Sequence, residues 1–209
     1  MLRGIAIGLV LALLVALPAP AWADFAQDNR QCGGDPNPDI EIGGCTRLIQ
    51  SGRFNNKNLA IIFNNRGTGY SRKGEYDRAI RDFDAALRLK PDDASAFYNR
   101  GNAYAKKGEY DRAIRDFDAA LRLRPDDASA FYNRGIAYYG KGQYDQAIRD
   151  FTEAIRLKPD YTSAYGNRGL AYAKLRRRDK AIADYRKAIE LRPGDKLGSA
   201  GLEHLGVYR

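Results

Sequence analysis

The word "FYNRG" occurs twice in the chain, at Phe97–Gly101 and at Phe131–Gly135, one step of 34 residues apart. Weaker echoes stand at the same step on either side, "FNNRG" at Phe63–Gly67 and "YGNRG" at Tyr165–Gly169. Outward from these words, Pro91, Pro125, Pro159 and Pro193 mark off four consecutive units of 34 residues: Ala60–Asp93, Ala94–Asp127, Ala128–Tyr161 and Thr162–Asp195. A fixed period of this length signals stacked helical hairpins, none able to bury its apolar face alone.

Within each unit the apolar spacing predicts two helices. Phe97, Gly101 and Tyr104 fall at i, i+4 and i+7, as do Phe131, Gly135 and Tyr138. A second stripe holds Ala113, Ile114, Phe117, Ala120 and Leu121, and one unit later Ala147, Ile148, Phe151, Ala154 and Ile155. Between the stripes, Gly108 and Gly142 stand where a helix ends in the left-handed conformation. The four prolines stop the second helices, and Asp93 and Asp127 are placed to cap the helices that follow. Gly67, Gly101, Gly135 and Gly169 lie inside helices, where glycine costs about 1 kcal/mol relative to alanine. We expect each to face a small residue of the second helix, Ala79, Ala113, Ala147 or Ala181, so that the paired helices approach closely.

The recurring Phe97, Gly101, Tyr104, Ala113, Phe117, Ala120 and Pro125 resemble the pattern of the tetratricopeptide repeat (TPR) family. The resemblance covers Ala60 to Asp195, 136 of 209 residues. It implies an all-α fold, a right-handed superhelical solenoid of four helix pairs. In this family the first helices line a concave groove that commonly holds an extended peptide or a partner's helix. One feature departs from the pattern. Before the glycine, where such families usually have Leu, stand Arg66, Arg100, Arg134 and Arg168, each followed 16 residues on by Asp82, Asp116, Asp150 or Asp184. Either the guanidinium fork meets the carboxylate across the hairpin, or the arginine stem packs while its head reaches water; we favour the ion pair.

Groove positions carried over from the resemblance give an asparagine at one register, Asn65, Asn99, Asn133 and Asn167, with Tyr98, Asn102, Tyr132 and Tyr139 beside it. Such an amide ladder suits a peptide backbone, one donating and accepting contact per unit. Alternatively, the asparagines tether neighbouring helices. Arg72, Lys106 and Lys174 end the same helices and either favour an acidic partner or offset the helix dipole. Tyr98, Ser129, Ser163 and Asn167 stand where the subgroup that clamps an acidic carboxy terminus has its cations, which argues against that clamp.

The ends differ from the repeats. Met1–Ala23 carries one Arg, a 13-residue apolar run from Ile5 to Leu17 and the small-residue site Ala21-Trp22-Ala23, the pattern of a secretory signal peptide cut before Asp24. An uncleaved anchor is the competing reading, but the run is short of the ~20 residues a spanning helix needs. Export makes a periplasmic or secreted location the expectation, with no stable membrane insertion after cleavage. Cys32 and Cys45 are the only cysteines, and in an exported protein an isolated pair this close is most simply a disulfide. Residues 24–59 are then an N-terminal cap, in which "PDIEIGGCTRLI" forms a lone helix on the first unit. The disulfide pins the polar lead-in strand "CGGDPNPD" onto it. Residues 196–209 supply a C-terminal capping helix with Leu197, Leu202, Leu205 and Val207. The fourth unit has "RRRD", Arg176–Asp179, in place of the turn glycine and tyrosine, either a solvated turn or a grip on an anion.

Removing Arg3 with the leader takes the net charge from +9 to +8, mostly as interleaved charges on solvated helix faces. No Gly-rich phosphate loop, histidine-based metal set or nucleophile–base pair is present. No enzyme activity, cofactor, metal or nucleic-acid partner is expected. The expected function is a scaffold that takes a protein or peptide partner in its groove. The alternative is a binder of an anionic polymer or surface (RNA, an acidic glycan or a membrane) through its basic face.

Overall fold

A computed structural model of the chain describes residues 21–207, which form eleven α-helices and, among themselves, no strand. The expected leader lies outside the described residues as far as residue 20, and α1 begins at Ala21, so the expected cut before Asp24 falls in its first turn.

Eight helices make the four repeat units: α3 (Asn56–Arg72) with α4 (Tyr76–Leu89), α5 (Ala94–Lys106) with α6 (Tyr110–Leu123), α7 (Ala128–Gly140) with α8 (Tyr144–Leu157), and α9 (Thr162–Lys174) with α10 (Arg178–Leu191). The first of these helices starts one turn ahead of Ala60. Each helix packs on the one before and the one after it. Successive first helices also touch (α3 with α5, α5 with α7, α7 with α9), whereas successive second helices do not among the described residues. The first helices therefore lie at the inner radius, and the stack is a right-handed solenoid with a concave inner face.

Local chemistry sets the helix ends. Asp93 Oδ1 accepts from the Ser95 and Ala96 N–H groups at 3.0 and 3.3 Å, and Asp127 does the same for α7 at 2.9 and 3.0 Å. Gly74, Gly108 and Gly142 end the first helices in the left-handed region, with φ of 77°, 78° and 75°. In the fourth unit Arg176 holds that conformation, φ 57°, at a strain of roughly 1–2 kcal/mol for a residue with a Cβ.

The nearest neighbour of each helix glycine is an aromatic ring of the second helix. A Cβ at Gly67, Gly135 or Gly169 would lie 2.6–2.7 Å from the ring of Phe83, Phe151 or Tyr185, and one at Gly101 would lie 3.0 Å from Phe117. These rings are almost fully buried. The glycine is the bare floor on which the second helix lays an aromatic edge. The alanines of the same helices are fully buried as well, and the ring lies edge-on against the glycine backbone. Burying one such ring stabilises by about 1.5–3 kcal/mol, which offsets the helix penalty of the glycine.

The N-terminal cap is a hairpin, not a strand on a lone helix. α1 (Ala21–Cys32) packs antiparallel to α2 (Pro38–Gln50), and "CGGDPNPD" turns between them, with Asn37 capping α2 at 2.9 Å. Cys32 and Cys45 form the disulfide, with both residues buried. Gly44 allows the approach, since a Cβ there would meet Gln31 Cβ at 2.8 Å. Arg47 fastens the pair through Asp28 at 2.6 Å and Gln31 at 2.7 Å. At the other end α11 (Lys196–His204), capped by the buried Asp195, lays Leu202 over Tyr185, and Leu205 and Val207 pack beside it.

Candidate functional site

Each repeat arginine binds its aspartate with two nitrogens. Arg66, Arg100, Arg134 and Arg168 donate from Nε and Nη2 to both oxygens of Asp82, Asp116, Asp150 and Asp184, all at 2.7–2.8 Å. The third nitrogen reaches back to the preceding unit. Arg100 Nη1 donates to Asp84 and Arg134 Nη1 to Asp118, both at 2.6 Å. At the outer seams the acceptor is a hydroxyl: Thr46 for Arg66 at 3.3 Å, and Thr152 for Arg168 at 3.0 Å. One guanidinium thus joins three helices. Because Thr46 meets Arg66 as Asp84 meets Arg100, α2 serves as the second helix of a preceding, degenerate unit. Cys45 then holds the register of Phe83, and the disulfide stands where the other units set ring on glycine.

Burial dominates the electrostatics of this clamp. It pushes the Asp116 and Asp150 carboxyls up, more than the arginine contacts draw them down. Burial also opposes the charge on Arg100 and Arg134, yet two carboxylates apiece hold both guanidiniums firmly protonated. A second series of bridges runs along the turn edge: Lys73–Asp39 at 2.5 Å, Lys107–Asp77 at 2.7 Å, Lys141–Asp111, and Arg177–Asp145 at 3.0 Å. These are exposed and contribute at most about 1 kcal/mol each.

The asparagine row lies on the first helices, and most of the donors of its last three members are spent within the protein. Asn99 Nδ2 donates to Asn64 Oδ1 at 3.1 Å, Asn133 Nδ2 to the Tyr98 hydroxyl at 2.8 Å and to Asn102 Oδ1 at 3.0 Å, and Asn167 Nδ2 to the Tyr132 hydroxyl at 3.0 Å and the Ser163 carbonyl at 2.9 Å. A primary amide has two N–H donors, so Asn133 and Asn167 have none left. Their carbonyl oxygens, and that of Asn99, take no partner among the described residues. Asn133 and Asn167 therefore offer a partner only their oxygen, whereas Asn99 keeps one N–H as well. Asn65 joins no tether, and Gly166 cannot accept one; Leu197 of α11 covers it instead. Tyr132 meets Tyr161 in a tilted pair with ring centres 4.8 Å apart, and Tyr139 meets Tyr144 edge-on at 5.2 Å. Two cavities open along the inner face. One of about 380 Å³ includes Ser71, Asn102, Lys106 and Asn133, and one of about 410 Å³ includes Tyr132, Ser163, Asn167 and Leu197. Arg72, one of the three cations that end the first helices, is drawn to Glu41 at 2.9 Å and to the α1–α2 loop.

Family models described as TPR repeat match residues 67–108 and 101–142, and one described as tetratricopeptide repeat matches 132–196. The chain belongs to the tetratricopeptide repeat family. Among solved structures it is similar to MamA, with 28% identity over 79% of this chain and 93% of that one, at a TM-score of 0.70. It is also similar to MamA (41-end) from Desulfovibrio magneticus RS-1, with 23% identity over 82% and 95% and a TM-score of 0.74. A third is YrrB, described as a TPR protein with an unusual peptide-binding site, with 21% identity over 88% and 98% and a TM-score of 0.71. A comparison with curated proteins finds no match. This TPR protein is thus a protein–protein interaction scaffold, a class that is typically non-enzymatic. Among the described residues no cluster of His, Cys, Asp or Glu could hold a metal ion, and no helix is long and apolar enough to cross a membrane.

What reading the sequence missed is the second carboxylate of the two middle clamps, Asp84 and Asp118. The signal was present in "RDFDAA", where Asp84 and Asp118 recur two residues beyond Asp82 and Asp116.

Proposed function

We propose that the inner face binds an extended peptide segment of a partner protein in the cell envelope. The observation that carries this is the row of unpartnered amide oxygens on Asn99, Asn133 and Asn167, held in fixed orientation by their tethers to the unit before. Acceptors at a regular step, already oriented, favour a backbone that offers N–H groups, because little ordering remains to oppose binding. The tyrosine rings beside them suit apolar side chains of the same segment. The apolar leader supports the envelope setting.

The test is a pull-down from envelope extract with the wild type, the Asn99→Ala/Asn133→Ala variant and an outer-face control, Arg115→Ala. Circular dichroism is read on each. The groove variant is expected to stay helical and lose interactors that the control retains. An identical set of interactors on all three, with helix intact, would reject the groove. Salt separates the rival reading, which rests on exposed Arg81, Arg115 and Arg149, arginines at one register that have no ion pair among the described residues. A polyanion contact weakens steeply as ionic strength rises, whereas capture through amides and rings changes little.

A further inference from the structure

The fourth unit departs from the others at the point where α9, the turn into α10, and α11 meet. A pocket of about 410 Å³ opens there, lined on its apolar side by Leu170, Tyr185 and Leu197. Its rim carries Lys174, Arg176 and His204, all exposed, and no carboxylate is among its lining residues. The neighbouring cations have structural work: Arg177 pairs with Asp145 at 3.0 Å, and Arg178 donates to the Leu205 carbonyl at 2.7 Å. Lys174 and Arg176 have no acidic partner among the described residues. Arg176 is also the one non-glycine described residue in the left-handed region, in the place of Gly74, Gly108 and Gly142. Folding alone is better served there by glycine, and strained residues of this kind gather at ligand sites.

We propose that this pocket binds a small amphiphilic anion, its apolar chain lying between α9 and α11 and its terminal oxyanion held by Lys174 and Arg176. Size and chemistry agree: the volume falls within the range of small-molecule sites, which are mostly apolar with a few placed polar groups. A guanidinium offers a planar fork that a carboxylate or a phosphate matches equally. The site shares Leu197 with the inner-face cavity but contains none of the asparagines, and its test involves no peptide.

The experiment is an NMR titration of the protein with decanoate, decyl phosphate, decanol and acetate, read at the Ala200 and Gly201 amides. Saturable shifts are expected with a decyl anion, the tighter of the two identifying the head group. Decanol and acetate are expected to bind at least about tenfold more weakly, since each lacks one half of the recognition. Arg176→Gly should raise the melting temperature, because strain is relieved, and still weaken decyl-anion binding about tenfold through the lost charged hydrogen bond. Lys174→Gln should weaken binding comparably, whatever the folding effect of the first variant. The proposal is overturned by no saturable shift with either decyl anion, by decanol binding as tightly as decanoate, or by both variants binding like wild type. A chain ending at Val207 should bind as the full chain does. A gain of about tenfold or more would make the chain's own carboxy terminus the occupant and overturn the proposal too.

Discussion

At Gly135 two effects of similar size oppose each other. Alanine favours a helix interior by about 1 kcal/mol, yet its methyl would stand 2.7 Å from Phe151 Cε1, and overpacking of a closed core costs roughly 1–3 kcal/mol. Gly135→Ala should therefore lower the melting temperature despite the better helix former. Adding Phe151→Leu should recover part of the loss, a coupling that thermal melts of the four species would show. Tyr185 stands where the other units have Phe83, Phe117 and Phe151, and burial above all pushes its phenol up to about 12. A pKa raised above the unfolded value gives stability that is fully present below about pH 10 and lost as pH rises through 12. Tyr185→Phe should leave neutral stability nearly unchanged and flatten the alkaline decline between those limits, measured by denaturation at stepped pH. The ring's role was hidden in the sequence for a plain reason. Spacing marks Gly101 and Ala113 as small, but it does not tell which larger neighbour reaches over the gap.

Helices differ in how much of their stability is their own. α6 and α8 carry a strong apolar stripe and were legible from it. α1, "AWADFAQDNRQC", has no such stripe and was not read as a helix; contacts from α2 and the covalent link hold it. Cys32→Ser/Cys45→Ser should accordingly act locally. Opening the link across a separation of 13 residues forfeits about 3 kcal/mol in the chain-entropy model. Hydrogen exchange should show α1 amides losing protection while α5–α8 keep theirs. Uniform loss of protection along the chain would mean that the hairpin nucleates the array. The tether between neighbouring helices was one of the two readings of the asparagines, but its acceptors were not legible. The acceptor for each lies 31 or 35 residues back on the preceding first helix, or within its own, and such pairings emerge only once the units are stacked.

The molecule as a whole behaves as a row of near-equivalent neighbours, which is why its architecture was the most legible level: the 34-residue step repeats every demand of the unit. A chain lacking Ala94–Asp127 should still fold, because Arg134 can then meet Asp84 in the place of Asp118. Its helical signal per residue should hold while the melting temperature falls by several degrees, as nearest-neighbour terms are removed. Collapse to a molten or aggregated chain would show that the units are not interchangeable.

The clamp also grades the seams. Between α4 and α5, and between α6 and α7, a charged oxygen receives the third nitrogen of the arginine. At α2–α3 and α8–α9 a threonine hydroxyl does so. Stretched between its ends in an optical trap, such a rod should shed its terminal segments at lower tension and yield its middle last. A partner that tugs on either tip would then feel a spring that softens outward, with a stiff girder from α3 to α8.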